Sequence, residues 1–263
     1  MAIARHKVFP RPYRLKGTTL PESVKLAKGS LYEAFFDALQ LSPFYKEAVQ
    51  SKEFINEDVK RTYDLVGDLR NTNFETWWAN YGYTIFAETK PLNQVKKLSH
   101  KNPFGRAIPL LSVDIPLDVS PQLLREQIEE LLKKHHPNYK NFDRWKTSTA
   151  QIKFKSTRMT YQSISLCLKV YRKYQDKKQN QPENARLYMI GEELALNPKL
   201  NVLKHDLKAM AASKKIKMAA TVTEYLDKAK NLIAHATEGN FPVVTDHPWY
   251  QKKKRGTRSR YKG

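Results

Sequence analysis

The chain has 263 residues, of which 40% are hydrophobic and 11% aromatic, and its net charge at pH 7 is +21. This composition excludes a largely disordered chain, and the length is sufficient for two domains. A single cysteine excludes an intrachain disulfide and a zinc site built on several thiolates. No stretch approaches the roughly 18 apolar residues of a membrane span, and the N-terminus lacks the apolar region of a signal peptide, so we expect a cytoplasmic protein without membrane contact.

The positive charge is concentrated in three segments. Residues 1–28, 133–178 and 250–263 carry net charges of +6, +11 and +7, whereas the rest of the chain carries −3. Positive charge confined in this way creates a surface that attracts polyanions, chiefly nucleic acid. The sequence therefore predicts a nucleic-acid partner, and the helical pattern described below favours DNA over RNA. A basic tail and a solvated face are the alternative interpretation of the same charges.

The N-terminal part of the chain has the pattern of a helical bundle. Residues 1–29 contain prolines and basic side chains without periodicity, which predicts an extended basic arm. The next helices are indicated by typical N-cap residues that each precede an apolar stripe at helical spacing: Ser30, Ser42, Asn56 and Asn73. The third of these helices is expected to end near Arg70.

Two features of this lobe bear on function. Trp77 and Trp78 could stack on exposed bases, but their spacing fits the apolar stripe of a helix, so we expect them in the core. Seven acidic residues lie between Glu47 and Glu75. They make the lobe a poor binder of phosphates and a possible docking surface for a protein partner.

A proline-containing loop over residues 90–109 indicates a domain boundary. It is followed by a candidate strand, LLSVDIPLD, and by a helix that Ser120 and Pro121 begin and that ends near Lys134. The predicted fold is mainly α, with at most one or two short strands. It comprises a basic extended arm (1–29), a helical N-terminal domain (30–105), a helix-turn-helix-like domain (106–243) and a basic tail (244–263).

The helix-turn-helix-like domain is indicated by three apolar-periodic segments between residues 158 and 243. The first has its stripe on Tyr161–Tyr174, the second is a short helix around Tyr188–Leu194, and the third has its stripe on Val222–Ala236. A further helix, from Asn201 to about Ala212, is expected between the second and the third. It makes the connection longer than the usual turn of three or four residues.

The third segment is predicted to read DNA. Thr221 and Glu224 form a capping box, which places the helix start near Val222 and directs free N–H groups towards phosphate. On the exposed face, Asn231 would pair with adenine and Lys230 with guanine. A lysine cluster ahead of this helix, before Thr221, is predicted to contact the DNA backbone. The predicted DNA contacts in the first segment, this cluster, the third segment and the tail are Lys169, Arg172, Lys173, Lys214, Lys215, Lys217, Thr223, Lys230, Asn231, Lys252, Lys253, Lys254, Arg255, Arg258 and Arg260.

Catalytic interpretations are weaker. Glu88 and Lys90 form an E-x-K pattern that, with Asp64 or Asp68 upstream, is found in metal-dependent nucleases, but the same pattern fits the end of the tryptophan helix. His135 and His136 fit a helix C-terminus better than a nuclease site. No H-x-x-R element of a tyrosine recombinase and no phosphate-binding glycine loop is present. We therefore expect no enzyme, no catalytic or metal-binding residue and no cofactor.

A family resemblance points the same way. The stretches SLYEAFFDALQLSPFYKEAV, FETWWANYGYTIFAE, LLSVDIPLDVSPQLLREQIEELL, IGEEL and VTEYLDKAKNLIAHATEGNFP resemble a poorly characterised family of transcriptional-regulator-like DNA-binding proteins of bacterial plasmids and integrative elements. The resemblance spans about residues 30–243. It implies a non-catalytic DNA-binding role on a mobile element and identifies no binding residues. An RNA-binding or ribonucleoprotein component stays the alternative, because YQKKKRGTRSRYKG is similar to the basic tails of such proteins.

Overall fold

A computed structural model describes residues 20–87, 111, 113–116, 118–136, 139–140, 150–155 and 159–250. Among these residues the fold is mainly α without a strand, which confirms the predicted fold class. The helices are α1 (Leu20–Ala27), α2 (Leu31–Leu41), α3 (Pro43–Ser51), α4 (Glu57–Val66), α5 (Phe74–Trp77), α6 (Tyr83–Phe86), α7 (Pro121–His135), α8 (Tyr161–Asn180), α9 (Leu187–Glu193) and α10 (Lys208–Thr237). A π-helical turn, Trp78–Gly82, joins α5 to α6. None of the described helices is both long and apolar enough to cross a bilayer.

The predicted N-caps of the N-terminal bundle are confirmed. Each cap side chain accepts a hydrogen bond from a backbone N–H two or three residues later, which satisfies one of the open donors of the first turn: Ser30, Ser42, Asn56 and Asn73. The third helix, α4, ends at Val66 and not near Arg70. Gly67 has a positive φ of 77°, and a right-handed helix cannot continue through that conformation.

Aromatic side chains form the core of the bundle, as predicted for the two tryptophans. Trp77 and Trp78 are buried, and their indole N–H groups donate to the carbonyl of Val66 and to the hydroxyl of Ser23, both at 3.1 Å. Gly82 lies so close to both rings that a Cβ there would approach Trp78 Cε3 to 2.7 Å. The π-helical turn therefore needs a glycine where the chain passes over the tryptophans.

The long helix α10 connects the two parts of the chain. It packs against α8 and α9 and also against α2, α3 and α4 of the N-terminal bundle. At its C-terminal end the buried hydroxyl of Thr237 donates to the carbonyl of Ile233 and lies 2.8 Å from Ser42 Oγ, within hydrogen-bond distance. A single hydrophobic core includes residues from both predicted domains, and buried side chains of α10 belong to it.

Two predictions for irregular or extended segments are wrong. The predicted extended arm includes residues that form α1, whose Ser23 and Ala27 are buried because they pack into the bundle; residues 1–19 lie outside the described part. The predicted strand LLSVDIPLD has no strand among its described residues, which are mostly exposed and have no pairing partner among the described residues. Extended backbone without a neighbouring strand leaves its N–H and C=O groups to water.

The predicted helices between Asn201 and Ala236 are also wrong in their boundaries. Instead of one helix from Asn201 to Ala212 and another from Val222, α10 runs unbroken from Lys208 to Thr237. Thr221 lies within it and donates its hydroxyl to the carbonyl of Lys217 at 3.1 Å, so the predicted capping box does not form. The alanine-rich stretch before Thr221 favours helix strongly, and the helix therefore begins earlier. The apolar positions of the first of these helices, which helical spacing predicts to be buried, are exposed: Leu203, Leu207 and Met210.

Candidate nucleic-acid interface

The predicted base-reading residues of the third segment do not form an exposed reading face. Asn231 is only 8% exposed, and its side chain accepts from the N–H of His247 at 3.1 Å and donates to Asp246 at 3.4 Å. The prediction that Asn231 faces solvent is therefore wrong, because the chain after α10 returns and covers it. Lys230 lies 3.8 Å from Asp227, and Thr223 donates to the carbonyl of Ala219 at 2.9 Å.

Two of the three predicted phosphate contacts in α8 are engaged within the protein. Arg172 reaches Asp37 of α2 at 3.4 Å, and burial of that carboxyl raises its pKa. Lys173 lies 3.1 Å from Glu193 of α9, which Lys177 also contacts. These ion pairs join α8 to its neighbours. Lys169 is exposed and remains accessible to a ligand.

The predicted lysine cluster before Thr221 divides into one structural and two surface residues. Lys214 contacts Asp206 at 2.8 Å and the carbonyl of Asn201 at 3.2 Å. The Asp206 side chain is only 3% exposed and also accepts from the N–H of Leu203, so the pair fixes the turn before α10. Lys215 and Lys217 are exposed.

The structure gathers the accessible positive charge of this region at the N-terminal end of α10. Over residues 194–223 the chain has six lysines and one acidic residue, Asp206, which Lys214 neutralises. The other five lysines are exposed, and we call them the α10 basic patch: Lys199, Lys204, Lys208, Lys215 and Lys217. Large apolar side chains lie among them, with Leu207 75% and Ile216 71% exposed. Lys199, Lys204 and Lys208 are not among the predicted contacts, although a lysine-rich and alanine-rich stretch without an apolar stripe is typical of an exposed helix face.

The helix start lies within the patch. Leu207 is the N-cap residue of α10 and provides no side-chain cap, so the positive end of the helix dipole is at Lys208 rather than at Val222. Lys215 also has a partner, because its ammonium lies 4.8 Å from the centre of the Tyr188 ring of α9. The patch thus combines lysines on the helix with lysines on the chain that leads into it.

The predicted tail contacts lie outside the described residues: Lys252, Lys253, Lys254, Arg255, Arg258 and Arg260. The chain immediately before them is packed onto the bundle, since Trp249 and Tyr250 contact the ring of Phe44 with centroids 4.5 and 5.8 Å apart. The tail therefore begins at a fixed point on the α3 side of the protein.

The nuclease interpretation finds no assembled site among the described residues. Glu88 and Lys90 lie outside them. Asp68 is bonded to Arg70 at 2.6 Å, and these hydrogen bonds hold the pKa of its carboxyl below the ordinary value, whereas Asp64 is exposed. His135 is the last residue of α7 and His136 is its C-cap, as expected for a helix end.

A polar cluster that sequence analysis did not single out lies at the other end of α10. His235 of its last turn and Glu238, its C-cap residue, meet His247 of the returning chain, and one ligand atom of each lies within 4.8 Å of the other two. His247 Nε2 is 3.1 Å from Glu238 Oε2, and burial is the main cause that lowers the pKa of His235. The spacing H-x-x-E, which places two side chains on one helix face, was the available sequence signal.

Comparison with known proteins adds no assignment to this geometry. The chain matches no protein-family model, and neither a curated protein nor a solved structure is significantly similar to it.

Proposed function

We propose that this protein binds duplex DNA without catalysing a reaction on it, as a transcriptional regulator or accessory DNA-binding factor of a bacterial mobile element. The α10 basic patch carries the proposal, because exposed lysines surround the first turns of a long helix and the acidic residue among them is neutralised. A surface of this kind attracts phosphates and releases their counterions on binding. The family resemblance is the reason for proposing gene regulation rather than general DNA compaction.

The shape of the patch suits a groove of duplex DNA. Residues 208–217 form a helical segment about 15 Å long, and none of them is buried. The major groove is about 12 Å wide and admits an α-helix. Lysines at its edges would contact phosphates, while Ser213 and the apolar Met210 and Ile216 would face base edges and thymine methyl groups. In this arrangement the bases are contacted by side chains at the exposed start of α10 and not by Asn231.

Neutralising the patch tests the proposal directly. The variant Lys204→Gln/Lys208→Gln/Lys217→Gln should weaken binding to duplex DNA by about 10- to 100-fold, and should reduce the slope of log K against log[salt] by up to about 2.7, or 0.9 for each lost phosphate contact. Fluorescence anisotropy over a salt series measures both quantities. Gel electrophoresis of the DNA after incubation with the protein, with and without Mg²⁺, shows whether the DNA stays uncut.

The matched control removes the same charge from the N-terminal bundle. The variant Lys25→Gln/Lys46→Gln/Lys60→Gln also replaces three exposed lysines, and it should leave affinity within about 3-fold of the unaltered protein, since distant exposed charges are screened. Equal weakening by both variants would contradict a localised interface. Tighter binding to structured RNA than to duplex DNA would instead favour the RNA-binding alternative, and Mg²⁺-dependent cleavage would favour the nuclease.

The basic tail should add affinity without sequence information. Deleting residues 251–263, which carry seven of the lysines and arginines, should weaken binding to all duplex sequences about equally and flatten the salt dependence further. The melting temperature should not change, because the described core ends at Tyr250. Selective loss of binding to one sequence, measured on a target recovered by binding selection, would show that the tail reads bases.

A further inference from the structure

We propose that His235, Glu238 and His247 form a binding site for a transition-metal ion of the zinc class. The site is separate from the α10 basic patch and does not depend on the proposed function. One ligand atom from each residue lies within 4.8 Å of the other two. Ligand atoms around a tetrahedral zinc ion are about 3.3 Å apart, given metal–ligand distances of about 2.0–2.1 Å. The 3.1 Å between His247 Nε2 and Glu238 Oε2 already fits, and the ligand atom of His235 has to approach the other two by at most about 1.5 Å.

The carboxylate is held in place by a neighbouring helix start. Glu238 Oε1 accepts a hydrogen bond from Asn56 Nδ2 at 2.8 Å, which leaves Oε2 to face His247. The other end of the Asn56 amide is the N-cap of α4 and accepts from the N–H of Val59 at 2.9 Å. Such outer partners orient metal ligands and raise affinity. The geometry of Glu238 therefore depends on a residue fixed by the fold.

Both histidines are also held by backbone groups. His235 Nε2 lies 3.0 Å from the carbonyl of Thr245, and because a carbonyl only accepts, Nε2 carries the proton and Nδ1 is unprotonated in the neutral ring. The N–H of His247 donates to the buried Asn231 at 3.1 Å. A histidine oriented by a backbone carbonyl is a common arrangement at metal centres. Asn231 is predicted from the sequence to contact DNA. Its buried amide instead helps to hold His247 in this cluster.

Metal binding requires one rearrangement of protons. Without metal, His247 Nδ1 accepts from the N–H of Trp249 at 3.2 Å, so Nε2 carries the proton and donates to Glu238. With the metal on Nε2, the proton moves to Nδ1 and the bond from Trp249 opens. No net proton is released from this ring. Two hydrogen bonds are lost, the one from Trp249 to Nδ1 and the one from Nε2 to Glu238. Together they are small compared with the formation of metal–nitrogen and metal–oxygen bonds.

The donor set selects the class of metal. Two imidazoles and one carboxylate suit zinc and related transition metals, whereas Ca²⁺ and Mg²⁺ prefer sites made only of oxygen ligands. The cluster is sheltered, with His247 3% exposed, but Glu238 also borders an open cleft beside Asp58 and Thr62. An ion can enter from that cleft, and a water molecule would complete four-coordination. Binding would fix the chain over residues 240–250 to α10 and α4.

Titration of the chelator-treated full-length protein with Zn²⁺ tests the site. We expect one equivalent to bind by isothermal calorimetry, a higher melting temperature with Zn²⁺, visible absorption bands with Co²⁺, and no response to Ca²⁺ or Mg²⁺. The nearly isosteric Glu238→Gln should lower zinc affinity at least about 100-fold, and Asn56→Ser, which retains an N-cap oxygen, about 10-fold. His235→Asn should abolish the cobalt bands.

The control His205→Ala removes an exposed histidine near the basic patch and should bind zinc normally. Circular dichroism of each metal-free variant verifies its fold, and Glu238→Gln keeps the test valid if His247→Ala does not fold. Failure of the unaltered protein to bind one equivalent of zinc, or unchanged affinity in folded Glu238→Gln and His235→Asn, would overturn the proposal.

Discussion

Replacing Trp78 by alanine is expected to lower the free energy of unfolding by about 3 to 5 kcal/mol. The indole is fully buried, stacks on Phe86 with centroids 6.1 Å apart, contacts Tyr32 at 4.9 Å and donates to Ser23. Truncation leaves a large cavity between α1, α2 and the π-helical turn, and the rigid rings around it cannot fill the space. For a protein of this size, the melting temperature should fall by about 6 to 20 °C.

The matched control for Trp78 is an aromatic residue on the same helical segment. Tyr81 is 49% exposed, so Tyr81→Ala should change stability by about 1 kcal/mol or less. Trp78→Phe should lie between the two, since it keeps part of the packing and loses the bond to Ser23. Calorimetric melting of the three variants measures the order. Equal melting of Trp78→Ala and the unaltered protein would contradict a core role for the tryptophan pair.

The second large effect is expected at Leu226, in the middle of α10. Leu226→Ala removes a buried side chain from the core that both parts of the chain share and should lower the free energy of unfolding by about 2 to 5 kcal/mol. Because α10 packs against α2 as well as α8, the whole protein should still melt in one transition at a lower temperature. DNA binding should weaken only where the variant begins to unfold.

Glu224 provides the control for Leu226, because it lies on the same helix and is exposed. Glu224→Ala should leave both melting and binding nearly unchanged. Differential scanning calorimetry and anisotropy on the same samples separate the two properties. Two separate transitions in Leu226→Ala, with only one of them shifted, would mean that the two predicted domains unfold independently.

Local signals explain what the sequence predicts well. An N-cap such as Ser42 or Asn73 acts on N–H groups two or three residues away, so its effect is visible without the fold. The tryptophan pair is recognisable because a helical stripe with two indoles is too apolar for solvent. In these cases the nearest neighbours along the chain decide the structure.

Long-range contacts explain the errors. Thr221 and Glu224 have the pattern of a capping box, but the preceding alanine-rich chain is itself a good helix former, so the helix passes through Thr221. Helical periodicity alone predicts that Asn231 is exposed. It is buried because the chain returns and brings His247, 16 residues further along, against it. The cluster of His235, Glu238 and His247 depends on the same return, and only its i, i+3 pair is visible in the sequence.

The unequal burial of α10 has a consequence for its local opening. The first turns, residues 208–217, contribute no buried side chain, whereas residues 229–237 are mostly buried. Unwinding the first turns exposes little apolar surface and should require much less free energy than global unfolding, while the last turns should open only with the whole protein. A ligand that holds the first turns in helical form must supply the free energy of that ordering, so the helicity of free residues 208–217 sets part of the observed affinity.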